Sequence, residues 1–486
     1  MALPTSAAKG SCIRALFFVN SIALFYIFLG DLLPPPLASP YDSKRIIGVS
    51  AAFLTSVVSV FTSCWPTQRR LELSPTLVAA LGFLLLGIIR AWFSTYPIAG
   101  ILEMALLGQV ALAILSIAVV SPPPENDEHR PWTLLALEFG CGSFVALYIV
   151  RAAICLATGI SLPSFEWFSP FQNQRIFAHT LTWTIPLIPI VFFHAKQNSP
   201  FVRALTFGGC AIWISLLWTN GARGAVLGCG LGIVTTALVM RKALSIQLLA
   251  QATLLFLASI AIAYFHARVL ASSVPSGAAL LRSGSSGRLE MWHGAFSLVR
   301  QHWILGIGPM QYSLSSDVPF ASLHSWFTSI LVEFGITGLL LILAIIGFTA
   351  RSIFFYLRAQ SANPLMVVCL SSSLSAALVH GLFSGVFTTP ASLLIGSLVC
   401  GTLASHLLGS APDSEEVNFQ TDRRNAPELV AIAVGATLFF VVSAHLTIIL
   451  RPCRNFQTYK IEGPVSPRYW QEGRLSRSAV CERLLR

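Results

Sequence analysis

The sequence predicts an all-α polytopic membrane protein of about 12–13 transmembrane helices, and three observations carry that expectation. Only 10% of the 486 residues are charged while 55% are hydrophobic. The apolar residues gather in runs long enough to cross a bilayer. Lys and Arg fall between those runs. A soluble domain carries about 25% charged residues, so this chain is too poor in charge to cover a water-facing surface, and lipid is its expected main solvent.

Apolar runs of about 18–25 residues read as spans. They fall at 12–30, 46–64, 75–93, 97–120, 132–159, 177–194, 201–219, 222–240, 244–265, 326–350, 364–386, 389–409 and 428–450. The first follows a single lysine, Lys9, and precedes Pro34-Pro35-Pro36 with no small-residue cleavage site. It therefore reads as an uncleaved helix, not a signal peptide. The 132–159 run is overlong and is expected to tilt or kink near Gly140 and Gly142. Residues 1–450 thus read as a membrane domain, with a short basic C-terminal tail at 451–486.

Orientation follows from the loops. With the N-terminus inside, the short inner loops hold thirteen Lys and Arg, among them Arg69, Arg70, Arg203, Lys242, Arg351 and Arg358. The short outer loops hold six: Lys44, Arg45, Arg90, Arg151, Arg175 and Arg223. The bias favours an inside N-terminus, although it leaves the basic tail outside. The formal charge of +11 then reports topology and anionic lipid headgroups, not nucleic acid. Ten cysteines form no CxxC pair, and no redox or metal motif follows.

One long connection, 266–325, joins spans nine and ten on the outer face. Loops of this length are commonly functional or disordered. This one opens with a Ser/Gly-rich stretch from Ser272 to Gly287 and then turns helical, with Trp292, Ala295, Phe296 and Val299 as one stripe. Arg288 lies on that stripe instead of the polar face. It reads either as an interfacial arginine snorkelling to headgroups or as an anion-binding guanidinium.

Other residues invite the same pair of readings. Arg223, in Asn220-Gly221-Ala222-Arg223-Gly224, sits in a turn so tight that its charge stays at the membrane boundary, as an anchor or as a ligand-binding group. Arg175 faces outward just before span six. These three arginines have no matching outer-face acid for each, with Glu166, Glu290 and Asp317 as the main candidates, and an external polyanion is the simplest complement. His324 opens span ten, as an interfacial residue or as a catalyst. Glu333, nine residues on, lies about 13 Å deeper and on the opposite side of that helix, so the two form no dyad along it. There is no DxD, GxxxxGK[ST], HExxH or GxSxG motif. The cluster Glu125-Asn126-Asp127-Glu128-His129 lies on a proline-rich inner loop and reads as a solvated turn.

Taken in order, these residues resemble the signature region of the O-antigen ligase superfamily, which also holds O-antigen polymerases and bacterial O-oligosaccharyltransferases. The resemblance rests on Arg288, Trp292, Trp303-Ile304-Leu305-Gly306-Ile307-Gly308, His324 and Glu333-Phe334-Gly335-Ile336-Thr337-Gly338. Ala222-Arg223-Gly224, Phe171 to Pro186, and His380-Gly381-Leu382-Phe383-Ser384-Gly385 with Pro390 add to it. It spans about 160–400, and its departures are Ser325 for the usual Asn and Ala222 for the usual Ser.

The resemblance implies a GT-C-like glycosyltransferase fold, with 266–325 as a periplasmic catalytic loop, in a bacterial inner membrane. The implied partners are an undecaprenyl-diphosphate-linked glycan donor, an acceptor hydroxyl on lipid A–core, a growing glycan or a protein, and membrane lipids. Arg223 and Arg288 would carry the leaving diphosphate's charge and His324 would serve the acceptor hydroxyl. Arg175, Trp292 and Glu333 would bind substrate. No metal or other cofactor is implied. A lipid-linked glycan flippase is the reading from a different class; it predicts inverted repeats and midplane ionisable sites, and neither is visible.

Overall fold

The structure, a computed structural model, describes residues 6–30, 40–63, 74–121, 131–163, 166–171, 174–195, 199–239, 246–271, 288–315, 322–359 and 364–408, together with Gly435 and Thr437. Among these residues the fold is helical throughout, and its one β feature is an isolated bridge between Leu162 and Ala271. The first ten helices are α1 (Ser6–Leu29), α2 (Pro40–Ser63), α3 (Pro75–Trp92), α4 (Pro97–Val120), α5 (Trp132–Thr158), α6 (Gln174–Thr184), α7 (Ile188–Ala195), α8 (Pro200–Asn220), α9 (Arg223–Val239) and α10 (Ile246–Phe265). The connection after α10 carries α11 (Arg288–Gln301) and the short α12 (Gln311–Ser315). The bundle closes with α13 (Trp326–Arg358), α14 (Pro364–Gly381) and α15 (Pro390–Leu408).

Twelve of the thirteen expected spans fall on these helices. The run at 428–450, apart from Gly435 and Thr437, lies outside the described residues, as do the tail, the acidic cluster at 125–129 and the stretch 272–287. Nine described helices are long and apolar enough to cross a membrane, and Ile13–Leu29 and Arg223–Val239 are shorter apolar helices.

Local chemistry sets the ends. Ser74 and Ser199 cap α3 and α8, accepting from Leu77 N–H at 3.2 Å and Val202 N–H at 3.4 Å, each just ahead of a proline in the first turn. Gly159 and Gly221, both at φ 68°, end α5 and α8 in the left-handed conformation that glycine adopts without cost.

Two expectations about helix shape change. The expected kink in α5 is absent: it runs unbroken, because Gly140 serves packing instead, with α1 residues Leu24 and Phe28 against it. Span six breaks instead, through a 3-10 turn at Ile185–Leu187 around Pro186, where the missing N–H ends α6 and α7 resumes. Behind that break sits an aromatic core of Phe28, Phe144, Phe171, Phe177 and Trp213, with ring centroids 4.7–6.1 Å apart. It fixes the 3-10 turn Glu166–Phe171 to α1, α5 and α8.

Large apolar side chains stand exposed along α3, α9 and α10, among them Leu85, Leu231, Phe256 and Leu257. Lipid is the solvent that makes such faces stable. α9 meets α14 through Gly224, Gly228 and Gly232, a small-residue stripe that lets the two backbones approach closely.

Candidate functional site

The Gly-x-Gly loop and the Glu-x-Gly-x-x-Gly segment form one structure. α13 breaks at Gly335 (φ 64°, ψ −165°). At the break the helix exchanges its own hydrogen bonds for bonds to the loop after α11. Ile307 and Gly308 N–H donate to the carbonyls of Val332 and Glu333, at 3.0 and 2.9 Å. Ile336 and Thr337 N–H donate to Trp303 and Ile304, at 2.8 and 3.2 Å. A side chain on Gly306 (φ 68°) would collide with the Glu333 backbone, and one on Gly335 with the Ile304 carbonyl. Arg90 of α3 donates to the Gly306 carbonyl at 2.7 Å. Buried Gln311 accepts from Tyr96 N–H at 3.1 Å and donates to its carbonyl at 3.2 Å. The loop is therefore held from both sides.

This platform positions His324. Leu323, fully buried, joins Met291, Ala295, Tyr312 and Val332 in a small core. Trp292 donates from its indole to the Leu323 carbonyl at 3.2 Å, which ties α11 to the residue before His324. His324 itself is half-buried and left-handed at φ 49°, a conformation that costs a non-glycine residue about 1–2 kcal/mol. Ser325 then caps α13, accepting from Thr328 N–H at 3.3 Å, which accounts for Ser in place of Asn, since both are strong caps. The face of α11 turned inward is Met291 and Ala295; Phe296, expected on the buried stripe, is exposed. At a bilayer edge an apolar residue need not face the protein. Arg288 begins α11, three residues before Met291, and its side chain lies outside what the structure describes.

A second group of residues lies on α6, α9 and α14. Trp326 donates to the Leu378 carbonyl at 2.9 Å, so the start of α13 rests on the last turn of α14, which carries His380. His380 Nδ1 lies 2.7 Å from Thr182 Oγ1, and the two histidine rings His179 and His380 stand 5.2 Å apart, edge to face. Both nitrogens of His179 meet hydroxyls, Thr389 at 3.0 Å and Ser384 at 2.7 Å. His179 is also within electrostatic reach of His324. Arg223 begins α9, exposed, and its neighbour Gly224 lies against the His380 ring. Asn220, three residues before Arg223, donates to the Gln174 carbonyl, which brings the exposed Arg175 to the same corner.

Glu333 lies on the platform formed with the Gly306–Gly308 loop. It is 1% exposed, in the turn of α13 before the break, with its carbonyl bonded to the loop.

Three further basic residues of the loops expected to face outward have fixed partners. Lys44 lies over the Phe171 ring, 5.3 Å from its centroid. Arg45 donates to the Thr388 carbonyl, and Arg151 to those of Glu166 and Trp167, at 2.7 and 3.3 Å. Arg45, Arg90 and Arg151 thus each donate to a backbone carbonyl. The candidate list drawn from the sequence omits His179, Thr182, Ser384 and Thr389. The readable signal for them is the run His179, Thr180, Thr182, Thr184 within a span, where each polar group needs a partner.

Residues 208–343 match the family model described as O-antigen ligase. That stretch holds Arg223, Arg288, Trp292, His324 and Glu333, and the match supports a place for the chain in the O-antigen ligase superfamily. No curated protein matches the chain.

Proposed function

We propose that this chain, which carries an O-antigen ligase domain over residues 208–343, transfers a glycan from undecaprenyl diphosphate to a hydroxyl of lipid A–core. The observation that carries the reading is the convergence of the α9 start at Arg223, the α6 start at Arg175 and the strained His324 turn around the last turn of α14.

In the reaction the acceptor oxygen attacks C1 of the donor sugar. The C1–O bond to the diphosphate breaks, the proton of the hydroxyl passes to His324, and undecaprenyl diphosphate leaves with its electron pair. Arg223 and Arg288 supply planar donor forks that match phosphate oxygens and neutralise the charge as it develops. An imidazole suits the proton transfer because its ordinary pKa lies near the working pH. Attack opposite the leaving group inverts the anomeric centre. The positive-inside bias of the loops supports a periplasmic site in the bacterial inner membrane.

The deciding experiment supplies membranes containing the protein with labelled glycan on undecaprenyl diphosphate and with lipid A–core. Label on lipid A–core is the expected product. Label on a longer donor glycan, or on protein, would replace the ligase reading by polymerase or protein O-oligosaccharyltransferase. Movement of the donor across the bilayer without transfer would overturn the enzyme reading.

A further inference from the structure

His380 touches α6 and α9, and its neighbour Gly381 meets α13, yet the mechanism above gives His380 nothing to do. It is 3% exposed, inside an apolar helix. A histidine in such a place is costly unless a specific partner holds it, and a leucine would fill the same volume without that demand.

The partner is Thr182. Its hydroxyl donates to the Ala178 carbonyl at 2.9 Å, and a hydroxyl has one proton to give. With that proton on the Ala178 carbonyl, Thr182 accepts from the Nδ1–H of His380 across 2.7 Å. The ring orientation is thereby fixed, with Cδ2 and Nε2 on the edge that faces α9. There the Gly224 backbone lies so close that a side-chain carbon would stand 2.7 Å from Cδ2 and 3.2 Å from Nε2. One turn on, a carbon at Gly228 would stand 2.5 Å from the Ala376 carbonyl oxygen and 3.3 Å from the His380 Cβ. The ring is the spacer on which the start of α9 at Gly224 rests, and backbone carbonyls of α14 take over at Gly228 and Gly232. On the other side, a carbon at Gly381 would stand 2.8 Å from Trp326 Cδ1, and the Trp326 indole is bonded to Leu378. The same turn of α14 thus places the start of α13, two residues after His324.

We infer that His380 is a positioning residue that sets the spacing between Arg223 and His324, with Thr182 fixing its ring. The inference rests on the glycosyl-transfer reading. Misplacing a reacting group by about 1 Å costs on the order of 10² in rate, so the spacer acts on kcat more than on donor binding.

The test measures kcat and KM for the labelled undecaprenyl-diphosphate glycan with lipid A–core as acceptor, alongside the melting temperature of each variant in detergent. Thr182→Val lowers kcat about tenfold with KM changed less than about twofold, and Thr182→Ser retains wild-type kcat. Gly224→Ala, which pushes a carbon into the ring, lowers kcat by about 10². Adding the smaller side chain of His380→Asn to Gly224→Ala then raises kcat above that of Gly224→Ala alone. Wild-type kcat in Thr182→Val overturns the proposal. So does a double variant whose loss is at least the product of the two single losses. If Gly224→Ala does not accumulate in membranes, the Thr182 pair decides. Wild-type protein that transfers no glycan overturns the functional reading and the inference together, whereas active wild type with purely multiplicative losses overturns the inference alone.

Discussion

Gly306 and Gly335 lie on facing segments, and each is held left-handed because the opposite backbone occupies the space its side chain would need. The four backbone bonds around them replace those that α13 loses at its break. The two glycines therefore act as one joint between the loop that leads to His324 and the span that follows it.

Alanine at either position is expected to destabilise the fold by at least about 2 kcal/mol, from the positive φ and from the collision. The measurement is a melting temperature in detergent. Gly142→Ala serves as the control, because nothing lies within 4 Å of a side-chain carbon there; equal losses at all three sites would remove the joint.

Arg223→Ala and Arg288→Ala are each expected to lose about 10²–10³ in transfer rate, the cost of one charge-assisted contact to the leaving group, while Lys at either site keeps part of it. His324→Ala is expected to lose about 10²–10⁴, and Arg175→Ala less. Arg203→Ala and Arg358→Ala, on the opposite face, should leave transfer near normal. Wild-type rates in both His324→Ala and Arg288→Ala, at equal protein in the membrane, would put the site elsewhere.

Transfer by purified protein should survive excess EDTA, since the arginines supply the leaving group's counter-charge. Loss on chelation with recovery on adding Mg²⁺ or Mn²⁺ would end the arginine-only account.

Ser325→Ala should cost about 1 kcal/mol through loss of the α13 cap, and Ser325→Asn should cost little. Both are read from melting curves, and transfer rates of the two should differ in the same sense because the cap adjoins His324. An Asn variant as impaired as the Ala variant would remove the capping explanation.

A thirteenth span at 428–450 would place residues 451–486 and their eight Lys and Arg in the periplasm. A fusion of alkaline phosphatase to Arg486 is then active, and Cys453 and Cys481 are in a compartment where they can pair. An active cytoplasmic reporter at the same point would change the span count by one.

The helices were legible because apolar length alone specifies a span, and the candidate arginines stand out in the sequence because charge at a bilayer boundary is conspicuous. The break at Gly335 was not. Glycine is tolerated within transmembrane helices, so Gly335 and Gly338 look alike in the sequence, and only the arrival of Trp303–Gly308 decides which one opens the helix. The inward face of α11 was misjudged at Phe296 because lipid removes the rule that apolar side chains point to the protein. His179 was hidden inside an apolar run, where its neighbours Thr182 and Thr184 read as ordinary span residues until α14 supplies His380.

The exchanged bonds at the α13 break also bear on how the chain is made. Exposed to hydrocarbon, the open N–H and C=O groups at Gly335 would cost several kcal/mol each. The loop that satisfies them is synthesised first, because Trp303–Gly308 precedes α13 in the chain. As α13 enters the bilayer its complement has already emerged from the ribosome, so the break can close during insertion. A circular permutant that released α13 before that loop would leave the half-formed helix as a substrate for membrane quality control.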